Sequence, residues 1–454
     1  KFVQPGQQII IKEGTYLLDS TVKVARGVDG TAESPIVMMA DPQASSRPVF
    51  DFQGLCAGMI FAGNHWYIKG FDVIHSQDAQ KGIQVSGNNN TLDQVNAYYN
   101  GSTGIQISRY LTTDEFELWP ENNLILNCTS YNNADAGCED ADGFAAKLTV
   151  GNGNVFDGCM AYYNADDGWD LFAKVQTGSI GAVTVKNCVA FKNGYVKVNS
   201  DKSTDRHVDS VYDLDMSGRV IDAGNGNGFK LGGDSMSGYH VLENSVVYDN
   251  KAKGIDSNSC PDIQVKGCVT YNNGNPNVAF YTNNAANTDF AMKYTVSYRQ
   301  GTDVAENVKP RGTQDVTKYD NDTNYLWKWI SSVPSTKAND VVVKGAYDSS
   351  DEKLAVNTWF ESLDTTQEIT RNADGTLNFG PLFKFTDKAP AELRANGFDG
   401  SKATKSATIS VYQSVPAPAT GDSSNMWVYA IILIVAAVGV AACVIVTIRK
   451  KKNQ

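Results

Sequence analysis

Three short segments concentrate the residues that could do chemistry: Glu139-Asp140-Ala141-Asp142-Gly143-Phe144, Asn164-Ala165-Asp166-Asp167-Gly168-Trp169-Asp170 and Asn227-Gly228-Phe229-Lys230. Each reads as a turn passing through glycine into a short strand. Two carry carboxylates and the third carries a lysine. Four carboxylates brought together must be protonated or neutralised by a cation. Asp142, Asp166, Asp167 and Asp170 offer oxygen alone, which suits a hard cation, calcium first and magnesium second. The plainer alternative is a solvated acidic turn, which Asp-Asp-Gly often makes. Glu139 and Asp140 are spare ligands or solvated loop. Lys230 is either the ion-pair partner of Asp170 or a general base. A free lysine titrates at about 10.4, so a base at moderate pH needs a neighbouring cation to lower that value; carboxylates alone raise it.

Residues so far apart in sequence need a repeating scaffold to meet. One is legible in Val95-Asn96-Ala97-Tyr98-Tyr99-Asn100, Cys128-Thr129-Ser130-Tyr131-Asn132-Asn133, Cys159-Met160-Ala161-Tyr162-Tyr163-Asn164, Cys188-Val189-Ala190-Phe191-Lys192-Asn193, Ser245-Val246-Val247-Tyr248-Asp249-Asn250 and Cys268-Val269-Thr270-Tyr271-Asn272-Asn273. A small residue, an alternating strand, an aromatic and a closing asparagine recur at mostly about 23 to 33 residues, a solenoid period. A second strand follows each asparagine, as in Gly82-Ile83-Gln84-Val85, Gly104-Ile105-Gln106-Ile107 and Gly254-Ile255-Asp256-Ser257. Period-2 alternation turns the residue after glycine inward and the next one outward. Short strands with loops of unequal length describe an all-β, right-handed parallel β-helix.

That register makes Cys128, Cys159, Cys188 and Cys268 a column of buried thiols rather than disulfides or metal ligands, because neighbouring coils hold equivalent side chains in parallel. The closing asparagines should form a second column, bonded from coil to coil. Only Asn193 closes a first strand between Asp170 and Lys230, so Gly194 to Gly226 reads as an excursion on one coil. Asp170 and Lys230 then occupy the same outward position in adjacent coils. Asp142 and Asp167 precede their glycines, where the backbone bends into the strand.

A chain of 454 residues exceeds one ordinary compact core, and a formal charge of −11 gives no basic face for nucleic acid. The repeat occupies 1–300. Residues 301–410, with Trp327, Trp329, Trp359 and Phe360, read as a cap or flank over the solenoid's open end. Residues 411–426 form a linker. Trp427 to Ile448 is an apolar run of transmembrane length, and the basic tail 449–454 places that end in the cytoplasm. The solenoid therefore faces outside, which requires export, and a signal peptide is expected to have been removed.

The three chemical motifs, extended to Asp142-Gly143-Phe144-Ala145-Ala146-Lys147, Asn164 to Phe172 and Asn225 to Gly233, resemble those of polysaccharide lyase family 9 pectate lyases. Gln4-Pro5-Gly6 and Gly14-Thr15-Tyr16 are similar to that family's amino-terminal segment. The resemblance implies calcium held by Asp142, Asp166, Asp167 and Asp170, with Lys230 as base. It further implies β-elimination of polygalacturonate, the pectin backbone; Lys147, Lys174, Lys202 and Arg206 are either contacts for other substrate carboxylates or solvated surface charges. Two other readings compete: a hydrolase using the aspartates as acid and base, and a non-catalytic carbohydrate-binding adhesin with structural calcium. Both leave Lys230 without a task. Ala417-Pro418-Ala419-Thr420-Gly421, the apolar run and the basic tail resemble a Gram-positive sortase-processed sorting signal, with Ala417 where leucine is usual. The expectation is a monomer displayed on the cell surface, with sortase as a processing partner.

Overall fold

The structure, a computed structural model, describes residues 3–199, 201, 206–274, 276–282, 289–300, 306–310, 323–327, 329–331, 346–347 and 354–411. The apolar run from Trp427 to Ile448, the sorting-like motif and Lys202 lie outside them. Among the described residues no helix is long and apolar enough to cross a membrane.

Strands of two to five residues, too short to stand alone, stack into three parallel sheets of 10, 12 and 9 strands. A complete coil contributes one strand to each sheet, and the result is a right-handed parallel β-helix. The first sheet begins at Gln8–Ile11, the second at Thr15–Leu17 and the third at Val22–Val24. Successive coils lie in register: Phe144 pairs with Trp169 and Trp169 with Phe229, while Ala145 pairs with Asp170 and Asp170 with Lys230.

Alternation sends one set of side chains inward. Beneath the third sheet Phe144, Trp169 and Phe229 stack, with ring centroids 4.7 and 4.9 Å apart. These rings are fully buried and fix the strand positions of Asp170 and Lys230 above them. The four thiols are buried and free. Ser245 fills the place between Cys188 and Cys268, and its hydroxyl accepts the Cys188 N–H at 3.1 Å. The asparagine column runs unbroken from Asn100 through Asn133, Asn164, Asn193 and Asn250 to Asn273, each side-chain N–H donating to the next carbonyl at 2.9 to 3.0 Å. A buried amide with every polar group paired holds each turn at one height, so the adjoining site is held as well.

Residues 354–411 lie along the outer flank of the second sheet. Its outward aromatics Tyr98, Tyr131, Tyr162, Phe191 and Tyr248 stack at 4.7 to 4.9 Å. Phe383 packs on Tyr248 and Tyr271, and Arg371 donates to the Cys128 and Gly158 carbonyls. The segment then runs back along the solenoid, where the Gln8 side chain donates to the Ser410 carbonyl at 3.0 Å. What these described residues cover is the flank, where apolar and aromatic surface is continuous, and not an open end.

Candidate active site and metal centre

The site grows from one turn, repeated. From Met59–Phe61 to Phe229–Lys230, each strand of the third sheet is preceded by a glycine whose N–H bonds the carbonyl of the residue ahead of the next coil's glycine. Thus Gly58 bonds Lys81, Gly82 bonds Thr103, Gly104 bonds Asp142, Gly143 bonds Asp167, Gly168 bonds Asn227 and Gly228 bonds Lys253, at 2.8 to 3.1 Å. The residues ahead of these strands therefore form a single column: Lys81, Thr103, Asp142, Asp167, Asn227 and Lys253. Glycine is required because coils approach too closely for a side chain: a Cβ at Gly168 would lie 2.6 Å from the Gly228 carbonyl and 2.9 Å from the Asn193 amide. A second, outward column on the strands runs Gln84, Gln106, Ala145, Asp170, Lys230 and Asp256.

Where these columns pass the third motif, carboxylates converge. One oxygen from each of Asp142, Asp166 and Asp167 lies within 4.8 Å of the others, and all three residues are buried. Asp170 stands beside this trio and is joined to it by two lysines. Lys147 Nζ bridges Asp142 Oδ2 at 2.6 Å and Asp170 Oδ2 at 3.0 Å. Lys230 Nζ bridges Asp167 Oδ2 at 3.0 Å and Asp170 Oδ2 at 3.4 Å. Neighbours add further bonds: Thr103 Oγ1 also donates to Asp142 Oδ2, at 3.1 Å, and Asn227 donates through its backbone and side chain to Asp167 Oδ1. The Asn225 N–H donates to Asp166 Oδ1 at 3.1 Å.

The charges show what the cluster accommodates. Burial, then the like charge of Asp167, pushes Asp166 well above the usual carboxylate range. Burial pushes Asp142 up to about 7 against the opposing pull of Lys147. Asp170 is also buried, yet Lys230 and Lys147 hold it below its ordinary value. Burial would lower Lys230, but Asp167, Asp170, Asp166 and Asp142 together hold it well above the ordinary lysine value. With all four carboxylates ionised, four negative charges would face two ammoniums, and one divalent cation would neutralise the excess of two. Among the described residues Asp170 Oδ1 is buried without a hydrogen-bond partner, and Asp167 Oδ2 has its ion pair but no hydrogen bond. An all-oxygen donor set within that spread fits calcium, whose oxygen ligands sit at about 2.3–2.6 Å in flexible geometry.

The excursion from Gly194 to Gly226 walls this site. Tyr195–Val198 pairs antiparallel with Arg219–Asp222. Val196, Val198, Val208, Leu214 and Ile221 pack on Ala134, Cys138, Ala141 and Ala165, the residues flanking the acidic turns. Of the other residues singled out from sequence, Lys147 lies inside the cluster. Glu139 and Arg206 pair with each other at 3.2 Å with both side chains exposed, apart from the buried carboxylates. Asp140 is exposed and Lys174 is half-buried. Thr103, Asn225 and Asn227 were not anticipated; the place before glycine in each repeat is the signal that identifies Thr103 and Asn227.

Residues 1–289 match the family model described as Pel9A-like, right handed beta helix region. A pectate lyase L of Thermoclostridium stercorarium is 37% identical over 332 residues, which cover 73% of this chain and 24% of that protein, so this chain spans about a quarter of that relative's length. A pectate lyase L of Paenibacillus polymyxa (strain SC2) is 37% identical over 395 residues, 84% of this chain and 75% of the relative. Among solved structures, pectate lyase Pel9A is similar with a TM-score of 0.60 and 26% identity, over 86% of this chain and 82% of that one. A rhamnogalacturonan lyase shares the fold, with a TM-score of 0.59 and 23% identity over 87% and 91% of the two chains.

Proposed function

Because this chain belongs to the Pel9A-like family of right-handed β-helices, we propose that it is a polysaccharide lyase that cleaves polygalacturonate by calcium-assisted β-elimination. The observation that carries this reading is the position of Lys230, one strand from Asp170 and 3.0 Å from Asp167, on the outer side of the third sheet beside the buried carboxylate trio. A hydrolase built on the aspartates has no use for a lysine there.

Asp142, Asp166, Asp167 and Asp170 would hold the cation. Bound calcium would supply positive charge that acidifies the proton at C5 of a galacturonate and counters the aspartates that keep Lys230 protonated. Lys230, as the neutral amine, takes that proton on Nζ. The C5–H electron pair becomes the C4–C5 double bond, the C4–O bond breaks, and the leaving sugar keeps the oxygen with its bonding pair, which a proton from water completes to a hydroxyl. The Phe172 ring lies 5.5 Å from the Lys230 ammonium and limits where the side chain can swing. Asn227 and Thr103 keep Asp167 and Asp142 aimed at the common point.

The test is the ultraviolet absorbance of the unsaturated product from polygalacturonate, with calcium and with chelator, for wild type and Lys230→Ala. Calcium-dependent absorbance that the substitution abolishes supports the proposal. New reducing ends without absorbance would assign a hydrolase, and neither signal would leave a binding protein. The carboxy-terminal sequence from Ala417 onward supports display at a cell surface, which fractionation of the producing cells would test.

A further inference from the structure

The turn column and the outward strand column continue beyond the carboxylates toward the amino-terminal coils, and two of the groups found there, Lys81 and Gln106, have no side-chain partner among the described residues. Lys81 stands in the same turn column as Asp142, two coils away, or about 10 Å at the spacing of parallel strands. It is half-buried, and its ammonium makes no ion pair or hydrogen bond among the described residues. Its counterpart on the other side, Lys253, is neutralised by Asp256 at 2.9 Å. Gln106 stands in the outward column between Gln84 and Ala145. Its neighbours Ile105 and Ile107 fill the core, so its amide points to the outer face. It is 7% exposed, yet its side chain makes no hydrogen bond among the described residues. Gln84 by contrast is held by Ser86 and the Arg109 carbonyl.

An ammonium and an amide with no protein partner among the described residues, on the face that carries the carboxylates, are free to bond an incoming ligand. Burial and the nearby charge of Lys147 both disfavour the charged form of Lys81, so an arriving anion gains more there than on an exposed lysine. We propose that Lys81 and Gln106 form a substrate subsite on the amino-terminal side of the carboxylate cluster. In it Lys81 binds the carboxylate of a uronate unit and Gln106 bonds hydroxyl or carboxylate oxygens of the chain between that unit and the reacting one. The polymer then lies along the solenoid axis over the third sheet, not around its girth. This subsite rests on the uronate-polymer reading above.

The experiment is steady-state kinetics of Lys81→Met, Lys81→Arg and Gln106→Ala on a graded series of oligogalacturonides and on polygalacturonate, with calcium saturating and melting temperatures as fold controls. The expected result is a KM raised roughly tenfold by Lys81→Met on long substrates, the worth of one charge-assisted hydrogen bond, with a smaller change in kcat. That penalty should vanish on the shortest cleaved oligomers and be partly recovered in Lys81→Arg. Gln106→Ala should raise KM in the same length-dependent way. An active wild type with KM unchanged in Lys81→Met across the series overturns the subsite and leaves the lyase reading standing. Equal losses on short and long substrates would also overturn it, because they assign Lys81 to the reacting centre. A wild type that yields unsaturated product from no galacturonide removes the lyase reading and the subsite with it.

Discussion

Asp170 and Lys230 are register partners on adjacent parallel strands, and their side chains meet at 3.4 Å on the outer face of the third sheet. Fifty-nine residues separate them in sequence, yet the excursion between Gly194 and Gly226 leaves the coil geometry undisturbed. An acid and a lysine held at one coil spacing over a stack of three aromatic rings cannot drift apart, which gives the cluster its preorganisation.

Lys230→Ala should lower the rate of unsaturated-product formation about a thousandfold, within the range for loss of a general base. The measurement is absorbance under saturating calcium. Melting temperature in the same buffer should change little, since the cation compensates the aspartates that lose their lysine. A rate within tenfold of wild type would assign proton abstraction to another group.

Lys147 presses a positive charge against Asp142 and Asp170, where it competes with a cation for the same oxygens. Lys147→Met should therefore tighten calcium binding by roughly tenfold, the scale of one pair of charges in a partly buried site. Calorimetric titration of the metal-free protein reads this directly. Weaker binding in Lys147→Met would show that the lysine orients the carboxylates more than it repels the ion.

His240 lies buried away from the cluster, its Nδ1 accepting the Val183 N–H at 3.2 Å. Burial pushes it down to about 4 from an ordinary 6.5, against the opposing pull of Asp262. A depressed folded value means that the neutral form is favoured by folding. The stabilisation is thus fully present above pH 6.5 and is lost as pH falls from there through about 4. The full effect is of the order of 3 kcal/mol. Thermal melts from pH 7.5 to pH 4 should fall more steeply for wild type than for His240→Gln, which keeps an acceptor and does not titrate. Parallel curves would remove His240 from the acid response.

Asn164 sits in mid-column: its carbonyl accepts from Asn133 and its amide donates to Asn193 and to the Ser130 carbonyl. Asn164→Ala leaves buried groups unpaired above and below and should cost about 2–4 kcal/mol. Denaturant unfolding measures the loss. Because Asp166 and Asp167 begin two residues later, calcium affinity should fall with it. A stability change below 1 kcal/mol would mean that water replaces the amide.

Much of this was legible because solenoid periodicity is a local property. Alternation along a strand decides which residues turn inward, and equal coils force identical positions to stack. The thiol column, the asparagine column, the excursion and the Asp170–Lys230 partnership could all be read from spacing alone. The turn column was equally present in the sequence, before each glycine, but its polar members Lys81, Thr103 and Asn227 differ from coil to coil and so did not declare themselves.

Sequence by itself thus determined the backbone scaffold and which carboxylates and lysine share one face, since strand period and coil spacing leave no other register. Only the tertiary structure decided how the side chains use that face. It placed the Lys147 ammonium between Asp142 and Asp170, set Asp170 beside the carboxylate trio, and left Lys81 and Gln106 without a side-chain partner among the described residues. It also laid residues 354–411 along the stacked aromatics of the flank. The reach of a flexible ammonium and the docking of a distant segment depend on the summed charge and apolar surface of many coils, and no local period records those sums.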